Sequence, residues 1–332
     1  CENGNELSIA AEIGVLKAGA VFVPIIPSYP QERVQFISTD CDAKLLIDED
    51  FYTDIAKYIS KDNSTNSSEC GMDFNPVPPL KEKVMIVYTS GSTGHPKGVV
   101  YDIAAYNMSV CRLATHFEDL PTLNFCSFAP MAFIAHMLEY AAVYACGGTT
   151  HITSDEVRMN PVKLERYYRD YRISVGFISS KLYCMFKQEL PDLKRIILGG
   201  EKICNFDPKD MNVTVIYAQT EATDISSYQI DIAREEAFIG TPLPGTEIYI
   251  LDEQGHDVGF MKEGEICAKG IYPRSYLNLP EETGKTFEET EDGYLQAFQY
   301  TKDQIAYFKG AFDFWYDRSF LSRRRNRLSL YS

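Results

Sequence analysis

Residues 84–98 read VMIVYTSGSTGHPKG, and this stretch decides the fold class. Its first five residues are apolar and mostly β-branched or aromatic, which predicts a buried central strand. The rest of the stretch combines hydroxyl side chains, three glycines and Lys97. Glycines let backbone amides approach an anion closely, hydroxyls donate hydrogen bonds, and a lysine adds a point charge. The sequence therefore predicts a loop that holds a polyphosphate at the end of a strand.

The loop is followed by a helical pattern from about Val99 to His116, so we expect it to lie where a strand leads into a helix. It is not the common P-loop, because Pro96 precedes Lys97 and the loop therefore contains no Gly-Lys-Ser/Thr run. The alternative interpretation is a linker that binds no ligand. A solvated Ser/Gly linker rarely follows a buried strand and ends in Pro-Lys-Gly, so phosphate binding is favoured.

Strand and helix patterns alternate on both sides of the loop, which is typical of an α/β fold. The N-terminal part predicts a helix at Ile9–Leu16, a strand at Val21–Ile26, a helix at Gln31–Ser38 and a buried strand at Ala43–Ile47. Further strand and helix pairs are predicted around residues 122–150, 161–187 and 194–217. After about residue 236, short strands with frequent Gly and Pro predict a smaller β-rich part.

The chain is expected to have three parts. Residues 1–235 form an α/β core, interrupted at about residues 60–80 by a flexible connector rich in Ser, Asn, Asp and Pro. Residues 236–316 form a β-rich subdomain of the same domain. Residues 317–332 are a basic tail, for which disorder is the favoured interpretation and a nucleic-acid or targeting patch at Arg323–Arg327 is the alternative.

The composition restricts the function classes. Hydrophobic residues make up 45% and charged residues 24% of the 332 residues, as in soluble globular proteins with a buried core. The net charge of -15 argues against nonspecific binding to nucleic acid. No apolar stretch reaches the roughly 18 residues that a membrane helix needs, so no membrane contact is expected. The nine cysteines stand singly, without metal-ligand spacing, which is typical of reduced thiols in a cytoplasmic protein.

Further motifs accompany the loop along the chain. They are LKAGAVFVPIIPSYPQER at Leu16–Arg33, YAQTEAT at Tyr217–Thr223, GTPLPG at Gly240–Gly245, GEIC at Gly264–Cys267 and SYLNLPEET at Ser275–Thr283. Together with the loop, they resemble the motifs of the adenylate-forming, or AMP-binding, superfamily, in particular those of the adenylation domains of nonribosomal peptide synthetases. Their order and spacing agree with that family from about residue 8 to residue 287.

The resemblance implies an α/β fold, the large N-terminal domain of this family, with two stacked sheet-and-helix subdomains and a β-rich subdomain that bind ATP and Mg²⁺ between them. It also implies a reaction, in which a carboxylic acid and ATP give an acyl-adenylate and pyrophosphate. By motif position, Lys97, Thr220 and Glu221 would be catalytic, and Glu221 would also hold the metal. The residues that would contact the nucleotide are Thr89, Ser90, Gly91, Ser92, Thr93, Gly94, Gly199, Gly200, Glu201, Tyr217 and Gln299.

The same resemblance implies an acyl pocket that is almost wholly apolar. Its residues would be Phe133, Ile134, Ala135, Leu138, Phe177, Ile197, Ile216 and Asp224. Ile134 stands where amino-acid-activating relatives carry an aspartate that binds the α-amino group. Because an aliphatic side chain cannot pair with an ammonium, we expect a carboxylic acid without an α-amino group. For Asp224 two alternatives stay open: it receives a cationic group of the substrate, or it faces water.

Two other departures from the family concern the completeness of the site. Gln299 replaces the aspartate that would hold the ribose hydroxyls, and glutamine lacks the charge that strengthens such bonds. The family's small C-terminal domain, with its catalytic lysine, is expected to be missing, and the chain to be truncated at both ends. The predicted function is ATP-dependent acid activation, with a carrier-protein thiol as partner in a second step. The alternative is a noncatalytic remnant that at most binds nucleotide.

Overall fold

A computed structural model of the chain describes residues 6–48, 50–54, 57, 82–89, 95–187, 189–200, 203–208, 211–230, 232, 234–236, 239–252, 254–258, 264–290 and 293–298. The predicted connector at residues 60–80 and the basic tail at residues 317–332 lie outside the described residues. Within the described ranges, no helix combines the length and the apolar character needed to cross a bilayer.

The N-terminal part contains two of the predicted helices but neither of its predicted strands. Helices α1 (Glu6–Lys17) and α2 (Gln31–Asp40) confirm the two helical patterns. The strand predicted at Val21–Ile26 is wrong, since only Phe22 forms a bridge there. The buried strand predicted at Ala43–Ile47 is also wrong, because its residues Leu45 and Leu46 are 59% and 52% exposed. An apolar run becomes a strand only where its backbone finds a hydrogen-bonding neighbour.

The stretch that decides the fold forms an antiparallel hairpin. Strand β1 (Lys83–Thr89) pairs with strand β2 (Lys97–Asp102), and the register places Thr89 opposite Lys97. On its other edge β2 pairs with β14 (Ser275–Tyr276). The other edge of β1 bonds to the backbone of Phe22, so the buried strand predicted at residues 84–88 has neighbours on both sides and is confirmed. The glycine-rich loop is therefore closed at both ends by paired strands.

Helix α3 (Ile103–Ala114) begins only after β2 has ended. The Asp102 carboxylate accepts a 2.7 Å hydrogen bond from the Ala105 N–H and caps the helix. The prediction that the loop leads straight into a helix at Val99 is therefore wrong. Residues 99–101 are β-branched or aromatic and buried in the sheet, which outweighs the helical spacing of the apolar residues that follow.

The largest sheet within the described residues has seven strands. They are β3 (Asn124–Cys126), β4 (Thr149–His151), β5 (Val175–Phe177), β6 (Arg195–Gly199), β8 (Val213–Gln219), β9 (Ala222–Ile230) and β11 (Thr241–Pro242). Their order is β11-β9-β8-β6-β5-β3-β4, parallel from β4 to β8 and antiparallel at β9 and β11. Strands β7 (Cys204–Phe206) and β10 (Arg234–Glu236) form a separate pair.

Helices connect the parallel strands from β3 to β6. They are a π-helical turn (Leu138–Ala142) that continues as α4 (Val143–Ala145), then α5 (Asp155–Arg158), α6 (Pro161–Asp170) and α7 (Ser180–Cys184). This alternation confirms the strand and helix pairs predicted around residues 122–150 and 161–187. The pair predicted around residues 194–217 is wrong in its helix, because the described residues there form β6, β7 and β8 and no helix.

Alternate residues of the parallel strands face opposite sides of the sheet. Ile197 and Ile216 belong to one core cluster, in which they pack with Val87, Val99 and Leu113 of the hairpin and α3. We call this the α3 cluster. The intervening residues belong to a second cluster that lies under α6. Both faces of the large sheet are thus covered, as expected for parallel strands.

A four-stranded sheet, which we call the smaller sheet, lies in the part predicted to be β-rich. Its strands are β12 (Thr246–Leu251), β13 (Glu265–Gly270), β15 (Phe287–Thr290) and β16 (Gly293–Phe298), in the antiparallel order β12-β13-β16-β15. Helix α8 (Pro280–Thr286) lies between β14 and β15.

Arg112 joins α3 to this smaller sheet. Its guanidinium donates hydrogen bonds to the backbone carbonyls of Pro244, Gly245 and Ile271, at 3.2, 3.0 and 3.1 Å. It also lies 4.4 Å from the centre of the Tyr272 ring, and the residue is only 1% exposed. Three carbonyl acceptors therefore hold the loops beside β12 and β13 against one buried arginine.

Candidate active site

Lys97 is the first residue of β2, at the end of the glycine-rich loop. Its ammonium forms a 2.6 Å ion pair with Glu282 of α8 and lies 5.2 Å from the centre of the Tyr276 ring. Glu282 also pairs with Lys285, at 2.9 Å. The hydrogen bonds from Lys97 and from Lys285 hold the pKa of Glu282 down at about 2. The loop lysine is thus held by α8, with 14% of its side chain exposed.

Glu221 and Thr220 lie in the turn between β8 and β9. The Tyr276 hydroxyl donates a 2.9 Å hydrogen bond to Glu221 Oε1. The Tyr101 hydroxyl of β2 donates a 2.5 Å hydrogen bond to the Thr220 carbonyl and bonds to the Thr223 hydroxyl at 2.7 Å. Burial raises the pKa of both tyrosines, so both phenols stay neutral donors. The Tyr101 hydroxyl therefore connects the β8–β9 turn, which contains the predicted catalytic residues Thr220 and Glu221, to the β1–β2 hairpin, which contains the third, Lys97.

Tyr276 and Glu282 were not among the predicted site residues. Both belong to the SYLNLPEET motif, which contributed to the resemblance but suggested no role for either residue. The contact between Lys97 and Glu282 joins positions 185 residues apart. Only the tertiary fold reveals such a contact, and the acidic pair in the motif was the one available signal.

Gly199, Gly200 and Tyr217 lie at or near the carboxyl ends of the neighbouring strands β6 and β8. Ligands of open α/β sheets bind at this end of the strands. A Cβ atom on Gly199 would come within 2.9 Å of Ile216 Cγ1 and 3.1 Å of the Ile216 carbonyl oxygen, so the position needs a glycine. Gly200 has a φ of 73°, which also favours glycine. The Tyr217 ring packs against the apolar cluster beneath the smaller sheet.

Thr89 is the other described end of the loop. Its hydroxyl donates a 3.4 Å hydrogen bond to the Lys97 carbonyl, where β1 and β2 close the loop. The predicted nucleotide contacts that lie outside the described residues are Ser90, Gly91, Ser92, Thr93, Gly94, Glu201 and Gln299. Their roles stay predictions.

The α3 cluster brings together five of the eight residues predicted for the acyl pocket. The buried members are Leu138, Ile197 and Ile216, and Ile134 and Phe177 pack against them. Ala135 is half-buried beside Ile134, whereas Phe133 is 56% exposed. The apolar set therefore lies on the hairpin side of the large sheet, and Phe133 lies apart from it.

Asp224 does not face water, so that alternative is wrong: the residue is fully buried. Its Oδ2 atom lies 2.8 Å from Nε2 of His116, and its Oδ1 atom has no hydrogen-bond partner among the described residues. Burial raises the pKa of Asp224, although His116 and Arg112 act to lower it. The partner that the sequence did not reveal is His116. Recognition of a cationic substrate group by Asp224 stays a prediction.

Glu139 fixes the backbone of the segment that leads to the acyl residues. Its Oε1 atom accepts hydrogen bonds from the N–H groups of Phe128 and Ala129, both at 2.8 Å. Arg158 donates a 2.6 Å hydrogen bond to the Phe128 carbonyl. Glu139 is fully buried, and burial raises its pKa to about 8 even though the two N–H groups and nearby positive charges lower it.

Replacing Glu139 with glutamine is expected to change how stability depends on pH. An unfolded glutamate has a pKa of about 4.3, so between this value and about 8 the chain takes up a proton at Glu139 on folding. The free energy of unfolding of the unaltered protein should therefore fall as pH rises through this window, by at most about 1.4 kcal/mol per pH unit. Glutamine does not titrate, so the free energy of unfolding of the variant should not show this fall with rising pH. Denaturant titrations of both proteins between about pH 5 and 9 test the prediction, and parallel pH profiles would contradict it.

The described side chains fit a magnesium-bound polyphosphate in their chemistry. Mg²⁺ prefers oxygen ligands and is commonly held by one or two carboxylates together with the phosphates of a substrate. Glu221 supplies a carboxylate oriented by Tyr276, and Lys97 supplies a positive charge at the end of the loop. These residues could therefore hold the metal and the phosphates.

Comparisons with known proteins give a matching family and several relatives of the chain. The family described as "AMP-binding enzyme" matches residues 2–273. Bacitracin synthase 1 from Bacillus licheniformis is 30% identical over 291 residues, and surfactin synthase subunit 2 from Bacillus subtilis (strain 168) is 30% identical over 298 residues. Each match covers 84% of this chain, but it covers only 6% of the first relative and 8% of the second.

A solved structure shares the fold. It is the crystal structure of a four-domain nonribosomal peptide synthetase bound to AMP and glycine, which matches with a TM-score of 0.71 and 23% sequence identity. The match covers 90% of this chain and 23% of that one. This chain therefore spans a small part of the length of the proteins that it resembles.

Proposed function

The chain belongs to the family of AMP-binding enzymes, and from this membership we propose that it forms an acyl-adenylate from a carboxylic acid and ATP. The observation that supports the proposal most strongly is the pair of contacts that Tyr276 makes with Lys97 and Glu221. These contacts join the hairpin that carries the proposed phosphate-binding loop to the turn that contains Glu221, the proposed metal ligand. A cation and a carboxylate held by one side chain are complementary to phosphates and to their metal ion.

In the proposed reaction, a carboxylate oxygen of the acid attacks the α-phosphorus of ATP. A phosphorus–oxygen bond forms, the bond to the oxygen that bridges to the β-phosphate breaks, and pyrophosphate leaves. We assign Lys97 and the loop residues Thr89–Gly94 to the β- and γ-phosphates, and Thr220 to the α-phosphate. Fixed donors and charges of this kind stabilise the negative charge that develops in the transition state.

The remaining assignments concern the metal and the adenine. Glu221 would hold Mg²⁺, and a bound metal ion there supplies positive charge that neutralises the phosphate oxygens. Tyr217 would stack on the adenine ring, beside the loop that begins with Gly199 and Gly200. Its position near the carboxyl end of β8 supports this assignment.

We propose that the acid lacks an α-amino group. Ile134 packs against the α3 cluster, where an ammonium would meet apolar side chains. Burying an unpaired ammonium costs several kcal/mol. The apolar neighbours Leu138 and Phe177 favour an apolar acyl chain.

Replacing Ile134 with aspartate is expected to shift the preference toward α-amino acids. Among matched pairs of acids, the unaltered protein should favour the member without the amino group by about 1 to 3 kcal/mol in transition-state binding. The variant should lose or reverse this preference, because its carboxylate can pair with the ammonium. Values of kcat/KM from ATP–pyrophosphate exchange measure it, with Val162→Asp as a control at a position that is 69% exposed on α6. A preference of the unaltered protein for the α-amino member of each pair would contradict the proposal.

We also propose a second step, in which the acyl group passes to the thiol of a carrier protein. The thiolate sulfur attacks the acyl carbon, a thioester forms, and AMP leaves. The likeness to a four-domain nonribosomal peptide synthetase supports this step.

Calorimetry and ATP–pyrophosphate exchange test the first step together. The chain is titrated with MgATP, and exchange is then measured with a panel of carboxylic acids. Exchange that depends on one class of acid would support acid activation. Binding of MgATP without exchange would indicate a chain that binds nucleotide but does not turn over, and the absence of MgATP binding would contradict the proposed function.

A further inference from the structure

Tyr276 contacts both parts of the proposed nucleotide site with different parts of its side chain. Its hydroxyl donates to Glu221 Oε1, and the Lys97 ammonium lies over its ring. The residue is 8% exposed, and its backbone pairs with Val99 of β2. Its N–H group also donates a 3.0 Å hydrogen bond to the Thr283 hydroxyl of α8. Backbone and side chain are therefore both fixed.

We propose that Tyr276 is a positioning residue for magnesium-bound ATP, an inference that rests on the proposed function. The phenol engages Oε1 of Glu221 and thereby sets the plane of the carboxylate, so that Oε2 is the oxygen presented to the metal. The ring supports the Lys97 ammonium through its π-face.

The hydroxyl matters because a carboxylate that binds a metal through one oxygen can rotate unless its other oxygen is held. Partners that orient metal ligands in this way typically change metal affinity by about 10- to 100-fold when they are removed. The hydrogen bond from the Tyr276 hydroxyl is charge-assisted, because its acceptor is a carboxylate. The carboxylate is thus oriented before the metal arrives.

The ring matters for a different reason. An ammonium has three N–H donors, and a contact with an aromatic face uses none of them as a hydrogen bond to an oxygen. In this structure the Lys97 ammonium donates to Glu282. Its two other N–H groups have no acceptor within the described part of the chain and can donate to phosphate oxygens, while the ring and Glu282 restrict the long, flexible side chain.

Two substitutions separate these effects. Tyr276→Phe removes the hydroxyl and keeps the ring, so it should weaken the magnesium-dependent part of ATP binding and leave metal-free ATP binding unchanged. Tyr276→Leu removes both, so it should weaken ATP binding with and without the metal. The matched control is Tyr249→Phe, which removes an exposed 2.5 Å hydrogen bond from a tyrosine to Glu247 on β12.

The experiment is calorimetric titration of the chain with ATP at a series of Mg²⁺ concentrations, with EDTA as the metal-free point. For Tyr276→Phe, we expect the Mg²⁺ dependence to move to concentrations about 10- to 100-fold higher, with metal-free affinity and thermal unfolding like those of the Tyr249→Phe control. A general loss of stability would instead weaken binding at every Mg²⁺ concentration and lower the unfolding temperature, which would overturn the inference.

The failure of this inference and the failure of the proposed function can be told apart. If the unaltered chain binds no MgATP, the proposed function is wrong and this inference falls with it. If the unaltered chain binds MgATP and Tyr276→Phe shows the same Mg²⁺ dependence, only the inference is wrong.

Discussion

Replacing Lys97 with alanine is expected to lower the rate of adenylate formation by about 10²- to 10³-fold, with the fold unchanged. The ammonium lies at the end of the glycine-rich loop, held by Glu282 and the Tyr276 ring. In the proposed reaction a positive charge in this place would oppose the negative charge that accumulates on the leaving pyrophosphate, and alanine cannot supply it. The rate is measured by ATP–pyrophosphate exchange, and the fold by circular dichroism.

The control for this prediction is Lys285→Ala. Lys285 pairs with the same Glu282 carboxylate at 2.9 Å, but its side chain is 69% exposed. Because exposed ion pairs contribute little, this variant should keep most of the exchange rate. Equal effects of the two substitutions would show that loss of either partner of Glu282, rather than loss of the loop lysine, lowers the rate. An unaltered exchange rate in Lys97→Ala would reject the assignment to the phosphates.

Replacing Arg112 with alanine is expected to lower the free energy of unfolding by about 3 to 5 kcal/mol, the range found when one partner of a buried charged contact is removed. Three backbone carbonyls would lose their donor at the same time, and Asp224 would lose a nearby positive charge. Guanidinium chloride denaturation monitored by circular dichroism measures the loss.

Arg166→Ala is the matched control for this prediction. Arg166 is 75% exposed on α6 and pairs with Asp170 at 3.2 Å, so its removal should change stability by less than about 0.5 kcal/mol. If Arg112→Ala destabilised the protein no more than this control, the three hydrogen bonds would not hold the smaller sheet to α3 in solution.

Part of the fold could be predicted because parallel strands buried on both faces are continuous apolar runs. The residues of β6 and β8 form such apolar runs. The Gly-rich turns and the helices between strands give the alternation of strand and helix patterns that predicts an α/β fold. The hairpin could not be predicted in the same way. Residues 99–101 have strand-forming side chains but open a stretch with helical spacing, and the strand is fixed by pairing with β1 and β14, which is a tertiary contact.

Exposure was as difficult to predict as pairing. The segment around Leu45 and Leu46 reads as a buried strand, yet the structure leaves both leucines more than half exposed and gives their backbone no strand partner among the described residues. An apolar run indicates only that burial would be favourable. Whether another element covers it depends on the rest of the fold.

The residues of the candidate site also fall into two groups: those that a short motif indicates, and those that only a contact between distant segments reveals. Lys97, Thr220 and Glu221 could be proposed as site residues because each belongs to a short motif whose residues are consecutive. Their supports could not, because Tyr276 and Glu282 come from a segment more than 50 residues after Glu221 in the chain. His116, the partner of Asp224, lies 108 residues before it.

Lys97 belongs to strand β2 and not to the glycine-rich loop. The direction of its side chain therefore does not depend on the length of the loop. Side chains along a strand alternate between two faces, so Lys97 shares its face with Val99 and Tyr101, both fully buried. Val99 and Tyr101 pack in the α3 cluster, whereas Val100 packs in a different cluster on the other face. These contacts set the parity of the strand, and the parity decides on which side of the sheet the ammonium emerges. Residues added to or removed from the loop leave this parity unchanged. The loop can therefore vary in length while the same charge is delivered to the same side of the sheet.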